Sequence, residues 1–86
     1  MTVYPNPVEA SATITYTLPY DGHVTLQVYN SIGVPVATLV DEEKTSGSYT
    51  LENDFSSYPN GLYLAKIKLG HAKTEKVHTV RFIVTR

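Results

Sequence analysis

Three histidines and one run of acids hold most of the chemistry open to this 86-residue chain. His23, His71 and His78 are its only imidazoles, and no two of them stand at a metal-ligand spacing such as His-x-x-x-His. His71 and His78 flank one polar stretch and are expected to face each other across a hairpin loop, as solvated side chains rather than ligands. Asp41, Glu42 and Glu43 offer oxygens to a hard cation such as Ca²⁺. Adjacent carboxylates project in different directions, however, and no glycine-spaced calcium loop surrounds them, so a charged loop is the expectation. Ser, His and Asp all occur, but there is no Gly-x-Ser-x-Gly elbow and no room for a preorganised oxyanion hole. The absence of Cys removes both a disulfide framework and a thiolate metal site. These residues point to no enzyme, no cofactor and no metal.

Seven Tyr with no Trp is an unusual aromatic inventory for so short a chain. Tyr16, Tyr49 and Tyr63 fall on faces expected to be inward, whereas Tyr4, Tyr20, Tyr29 and Tyr58 fall at turns or outward. Exposed rings on a β-sandwich stack on sugars, so a carbohydrate-binding module is one reading. Three of the four outward rings lie beside turns or prolines, where packing on proline accounts for them without a ligand.

Charge excludes other partners. Lys plus Arg number 7 against 8 for Asp plus Glu, a net charge of −1, which supplies no field for nucleic acid or an anionic membrane. No stretch approaches the roughly 18 apolar residues of a membrane-spanning helix. Neither a basic leader nor an apolar core opens the chain, so a signal that starts export would lie outside it. A chain of this length makes one domain and buries roughly 60 % of the surface its unfolded form exposes.

The elements that position these residues alternate with period two. In "ATITYTL", Ile14, Tyr16 and Leu18 share one face and Thr13, Thr15 and Thr17 the other. "HVTLQVY" repeats this with Val24, Leu26 and Val28 inward. With Pro19 to Gly22 between them, the two runs read as a hairpin. Asn30 to Gly33 is a second turn, with Gly33 expected at positive φ, and "VPVATLV" follows as a strand that Pro35 marks as an edge or a bulge. "DEEKTS", residues 41 to 46, reads as a solvated loop, and "GSYTLEN" as a strand after it. An irregular crossover from Phe55 to Gly61 leads into "GLYLAKIKLG", with Tyr63, Ala65, Ile67 and Leu69 inward and Lys66 and Lys68 outward. Gly70 to Lys76 reads as a hairpin loop, and "VRFIVTR" closes the chain with Val80, Phe82 and Val84 opposite Arg81, Ile83 and Thr85. No window supports an amphipathic helix. The expected fold is all-β, an antiparallel immunoglobulin-like β-sandwich of six or seven short strands.

Near the start, "YPNPV" places two prolines in five residues. Proline fixes φ and lacks an amide donor, and the residue before it is pushed toward extended geometry. Tyr4 to Val8 is therefore expected to be extended, close to polyproline II, and to lie along an edge.

The ordered set "YPNPV", "ITYTLP", "VTLQVYNSIGVPVATLV", "GSYTLENDFSSYPNGLYLAKI" and "VRFIVTR" resembles the C-terminal sorting domain, type A, of the type IX (Por) secretion system of Bacteroidetes. The likeness spans nearly the whole chain. It implies that residues 1–86 are a single sorting domain excised from a larger secreted protein, with Pro5, Asn6 and Pro7 as its lead-in motif. It implies a non-catalytic signal that directs an attached passenger across the outer membrane, through the periplasm, to the cell surface or beyond. The implied partners are the outer-membrane translocon, a surface sortase and the upstream passenger in the same chain, with weak self-association through an edge strand. Residues expected to form the signal are Lys76, Arg81, Phe82, Ile83, Val84 and Arg86 on the terminal strand, with Gly61 and Tyr63 shaping the neighbouring strand. Family members often carry lysine where this chain has Arg81 and Arg86, which keeps the charge and changes its geometry. Besides the sugar-binding module, an inert spacer in a secreted enzyme is the other reading.

Overall fold

A computed structural model describes residues 1–71 and 73–86. Seven strands form two antiparallel sheets: β1 (Thr2–Tyr4), β2 (Ser11–Leu18), β3 (Gly22–Asn30), β4 (Pro35–Lys44), β5 (Gly47–Asp54), β6 (Gly61–His71) and β7 (Thr74–Val84). One sheet has the order β1-β2-β5 and the other β4-β3-β6-β7. This is the seven-strand, two-sheet architecture that the alternation requires, because each apolar face can be buried only against another.

The inward rows are those read from the sequence. Ile14, Val24, Leu26, Val28, Ala65, Phe82 and Val84 are fully buried, and among the described residues no buried side chain is polar or charged. Partnering differs in four places. The runs around Ile14 and Val24 are not a hairpin: β2 pairs with β1 and β5, and β3 with β4 and β6. Pro19 to Asp21 is an arch between sheets, and Gly22 then enters so close to β6 that a Cβ there would run into the Gly70 carbonyl oxygen. Asp21 fixes the arch by accepting a hydrogen bond from the Ser46 amide at 2.7 Å.

The run "DEEKTS" is mostly strand. Asp41 to Lys44 continue β4 opposite Thr25 to Gly22, where carboxylates find His23 and Lys44 as partners, which reduces the turn to Thr45 and Ser46. Gly70 to Lys76 likewise is not an open loop, since β6 and β7 pair through His71↔Thr74; Ala72 of that stretch lies outside the described residues. Finally, Tyr4 to Val8 is not a straight polyproline segment. Residues 5–7 bend, and the Tyr4–Pro5 and Asn6–Pro7 peptide bonds are both cis.

Two sequence features act as read. Gly33 turns at φ 86° in the β3–β4 hairpin, where the Asn30 side chain accepts hydrogen bonds from the amides of Ile32 (3.1 Å) and Val34 (3.0 Å). Pro35 begins β4, an edge strand with two register shifts against β3.

Candidate recognition site at the terminal strand

The bend at residues 5–7 brings the head of the chain onto its tail. Two prolines remove two amide donors, and the Asn6 side chain between them supplies ladder-like partners instead. Its Oδ1 accepts a hydrogen bond from the Ile83 amide at 3.1 Å, and its Nδ2 donates to the Arg81 carbonyl at 3.4 Å. Val8 completes the clip: its amide donates to the Ile83 carbonyl (2.7 Å) and its carbonyl accepts from Thr85 (2.9 Å), in a parallel bridge with Val84. The outer edge of β7 is therefore already occupied along Arg81 to Thr85.

Arg86, just past this strand, turns back over the crossover. Its guanidinium donates to the carbonyls of Phe55 (3.1 Å), Glu9 (3.5 Å) and Tyr58. A fork of five donors fits such a cluster of carbonyls, which an ammonium would meet less completely. The same crossover is pinned by Phe55, whose amide donates to the Ala10 carbonyl at 2.9 Å, and by Asp54, which accepts from the Ser56 amide at 2.8 Å. The hydrogen bonds from Ser56, and after them the nearby Arg86 charge, hold the Asp54 carboxyl below its usual range.

Gly61 and Tyr63 have local structural roles. Gly61 sits at φ 154°, inside the region that side-chain-bearing residues avoid, and lets the chain leave the crossover and start β6. Two residues on, the Tyr63 hydroxyl donates to the Pro59 carbonyl at 2.6 Å. Its ring stacks on Phe82 at 5.8 Å between centroids, and Phe55 and Tyr58 close the cluster edge-on.

These contacts divide the expected signal residues. Tyr63, Phe82 and Val84 are buried and serve the core, while Gly61, Lys76, Arg81, Ile83 and Arg86 are exposed. Arg86 is committed to carbonyls, whereas among the described residues the Arg81 side chain makes no hydrogen bond or ion pair. Arg81 stands opposite Leu64, and Ile83 opposite Leu62, on the outward face of β6 and β7. Leu62 (37 % exposed) and Ile83 (46 %) therefore form an apolar patch with Arg81, beside a shallow hollow that also includes Asn6. Sequence reasoning missed Leu62 and Leu64. The signal was present, since both share the face of Lys66 and Lys68 in "GLYLAKIKLG", where apolar side chains have no core to enter.

The other candidates do not converge. His71 and His78 do not face each other: His78 lies opposite Ile67, and His71 opposite Thr74 with its ring 5.6 Å from that of Tyr20. Among the described residues, His23 is the histidine that meets acids, Nε2 at 2.5 Å from Asp41 and Nδ1 at 3.4 Å from Glu43. Each ring nitrogen is engaged by a different carboxylate, which makes a charge-paired histidine rather than a chelate, and the Asp41 contact raises its pKa. Among the described residues no group of three His, Asp or Glu side chains could hold a metal ion. For sugars, the two stacked ring pairs, Tyr16–Tyr49 and Tyr63–Phe82, each have a buried member. Tyr58 packs edge-on against Phe55 and Tyr63, and the Tyr29 hydroxyl donates to Gln27 at 2.7 Å.

Fold and site together define a small β-sandwich whose terminal strand, locked to the head of the chain, carries one of its exposed apolar patches. A family model for the secretion system C-terminal sorting domain matches residues 2–84. The chain belongs to that family and is a type IX C-terminal sorting signal. No curated protein and no solved structure matches it.

Proposed function

We propose that the domain is a non-catalytic address label that carries a passenger across the outer membrane and is read there on its outward β6–β7 face. In this reading the type IX translocon engages the folded domain after its periplasmic transit, and a surface sortase then separates the label from the passenger. The observation that carries the reading is the patch of Arg81, Ile83 and Leu62. It holds a cation with no partner among the described residues and two exposed apolar side chains, on backbone immobilised by Asn6 and Val8. Free surface charge of this kind adds little to stability, about 0–1 kcal/mol, so folding does not account for it.

Fusion of the domain behind a secreted reporter in a type IX-competent host tests the reading. Arg81→Glu with Leu62→Ser is expected to leave the melting temperature within a few degrees of the parent and the reporter in the periplasm. Full surface delivery by that variant, with an unchanged melt, would place the signal elsewhere. An inert spacer would show the same full delivery after removal of the whole domain.

A further inference from the structure

The shortness of β1 leaves part of the sandwich uncovered. β1 pairs with β2 only through Thr2↔Thr15, Val3↔Ile14 and Tyr4↔Thr13, whereas β2 runs on to Leu18. Among the described residues, Thr17 and Leu18 thus have β5 on one side and no strand on the other. Across from them lies the first half of β7. Lys76 and His78 stand opposite Leu69 and Ile67, on the side of the sheet that faces the core, yet both are exposed. Between these elements lies a groove of about 210 Å³, with Met1, Leu18, Ile67 and Leu69 as its apolar lining and Lys76 and His78 at one wall.

β1 points straight into this groove. Antiparallel pairing puts Met1 beside Tyr16, so a chain leading into Met1 in strand geometry passes Thr17 and then Leu18. We infer that the groove seats the polypeptide joining a passenger to this domain, and that the residues immediately preceding Met1 continue β1 along the free edge of β2. The inference rests on the proposed role only in requiring a passenger joined through Met1.

Alternation fixes the chemistry of that segment. Val3 is buried, Thr2 exposed and Met1 half-buried against the core, so the second residue before Met1 faces inward, over Ile67 and Leu69. An apolar side chain suits it, with the Lys76 stem along its flank and the ammonium at the rim. Backbone pairing with β2 supplies the affinity, as in strand addition generally. Two to three residues, at about 3.3 Å each, reach the end of β2. The stretch open to a processing protease then starts at about the fourth residue before Met1 or further upstream, because a paired strand does not fit a protease cleft.

Hydrogen exchange on a passenger-bearing chain tests this. One sample joins the passenger through Thr-Val-Thr directly before Met1, and the other through Pro-Gly-Pro, whose prolines have no amide to donate to the ladder and disfavour strand pairing. Of the Thr17 and Leu18 amides, the one directed away from β5 is expected to exchange at least about tenfold more slowly in the first sample. Equal rates, with β6 equally protected in both samples, would overturn the inference. Protection that survives Pro-Gly-Pro and grows with protein concentration would assign the groove to a second copy, which also overturns it. Reporter delivery is scored separately. Equal exchange with normal delivery removes the groove proposal alone, and slowed exchange with failed delivery removes the sorting role alone.

Discussion

Arg86 looks like a solvated terminal charge in the sequence, yet it is a brace, and the difference is measurable. Arg86→Lys keeps the charge but cannot reach the carbonyls of Phe55, Tyr58 and Glu9 together. It is expected to lose about 1–2 kcal/mol, nearly as much as Arg86→Ala, in a thermal or urea melt. Equal stability of Arg86→Lys and the parent would return this residue to the role of a simple cation. Tyr63→Phe isolates one hydroxyl, whose loss leaves the Pro59 carbonyl without its partner and is expected to cost about 1 kcal/mol. That corresponds to about 4–8 °C in a domain of this size. Two titrating groups act in opposite senses. His23 is raised by its contact with Asp41, so its contribution is complete below the unfolded value of 6.5 and is lost as pH rises through the folded value. Asp54 is lowered by Ser56, so its contribution is complete above the unfolded value of 3.8 and is lost as pH falls through the folded value. Both are present together between those two unfolded values. Following the His23 ring by NMR checks the first, since Asp41→Asn is expected to bring its midpoint back toward 6.5.

At the scale of elements, the lead-in segment behaves as an eighth, side-chain-built partner of the sheet. Asn6→Ala removes both contacts to β7 and leaves the Ile83 amide and Arg81 carbonyl to water. An expected loss of about 1–2 kcal/mol accompanies faster exchange at Ile83, and both are read in one hydrogen-exchange series. Removing Phe82 to Arg86 is a different experiment, because Phe82 and Val84 are fully buried and their loss unfolds the core before any receptor is consulted. The strands themselves were legible, since alternation from Ile14 to Leu18 or Tyr63 to Leu69 marks an inward face whatever its neighbours. Their partners were not. Two inward-facing runs joined by Pro19 to Gly22 fit a hairpin or an arch equally well, and the choice is made by pairing with β5 and β6, whose partner residues lie 29 or more positions further along. The same physics explains the candidate site. Landmarks such as Asn6-Pro7 and Gly61-x-Tyr63 can be picked out along the chain. Whether a landmark folds the domain or faces a partner depends on burial, and burial is set by long-range pairing that no local pattern records.

The whole molecule is a slab of 40 × 24 × 16 Å with its covered and uncovered edges unequally distributed. β4 guards one edge of the larger sheet with Asp41, Glu42, Glu43 and two register shifts, devices that discourage another strand from joining. Among the described residues the first half of β7 is guarded only by the charges of Glu75 and Lys76, and weak self-association is expected there. Val77→Lys is expected to lower any concentration-dependent shift in sedimentation while leaving the melt unchanged. The parallel bridge at Val8 and Val84 bears on mechanics. If the tail is gripped by a receptor while cargo hangs from the head, tension pulls Val8 toward the start of its segment and Val84 toward the end of its own. In a parallel pair these directions oppose along the strands. The hydrogen bonds that join Asn6 and Val8 to Arg81, Ile83 and Thr85 are then loaded together in shear and must fail at once, instead of peeling apart one after another. Stretching the domain from its two ends in an optical trap should therefore show a single rupture, at a force that Asn6→Ala lowers. The lead-in prolines would be the fastening of a tow line.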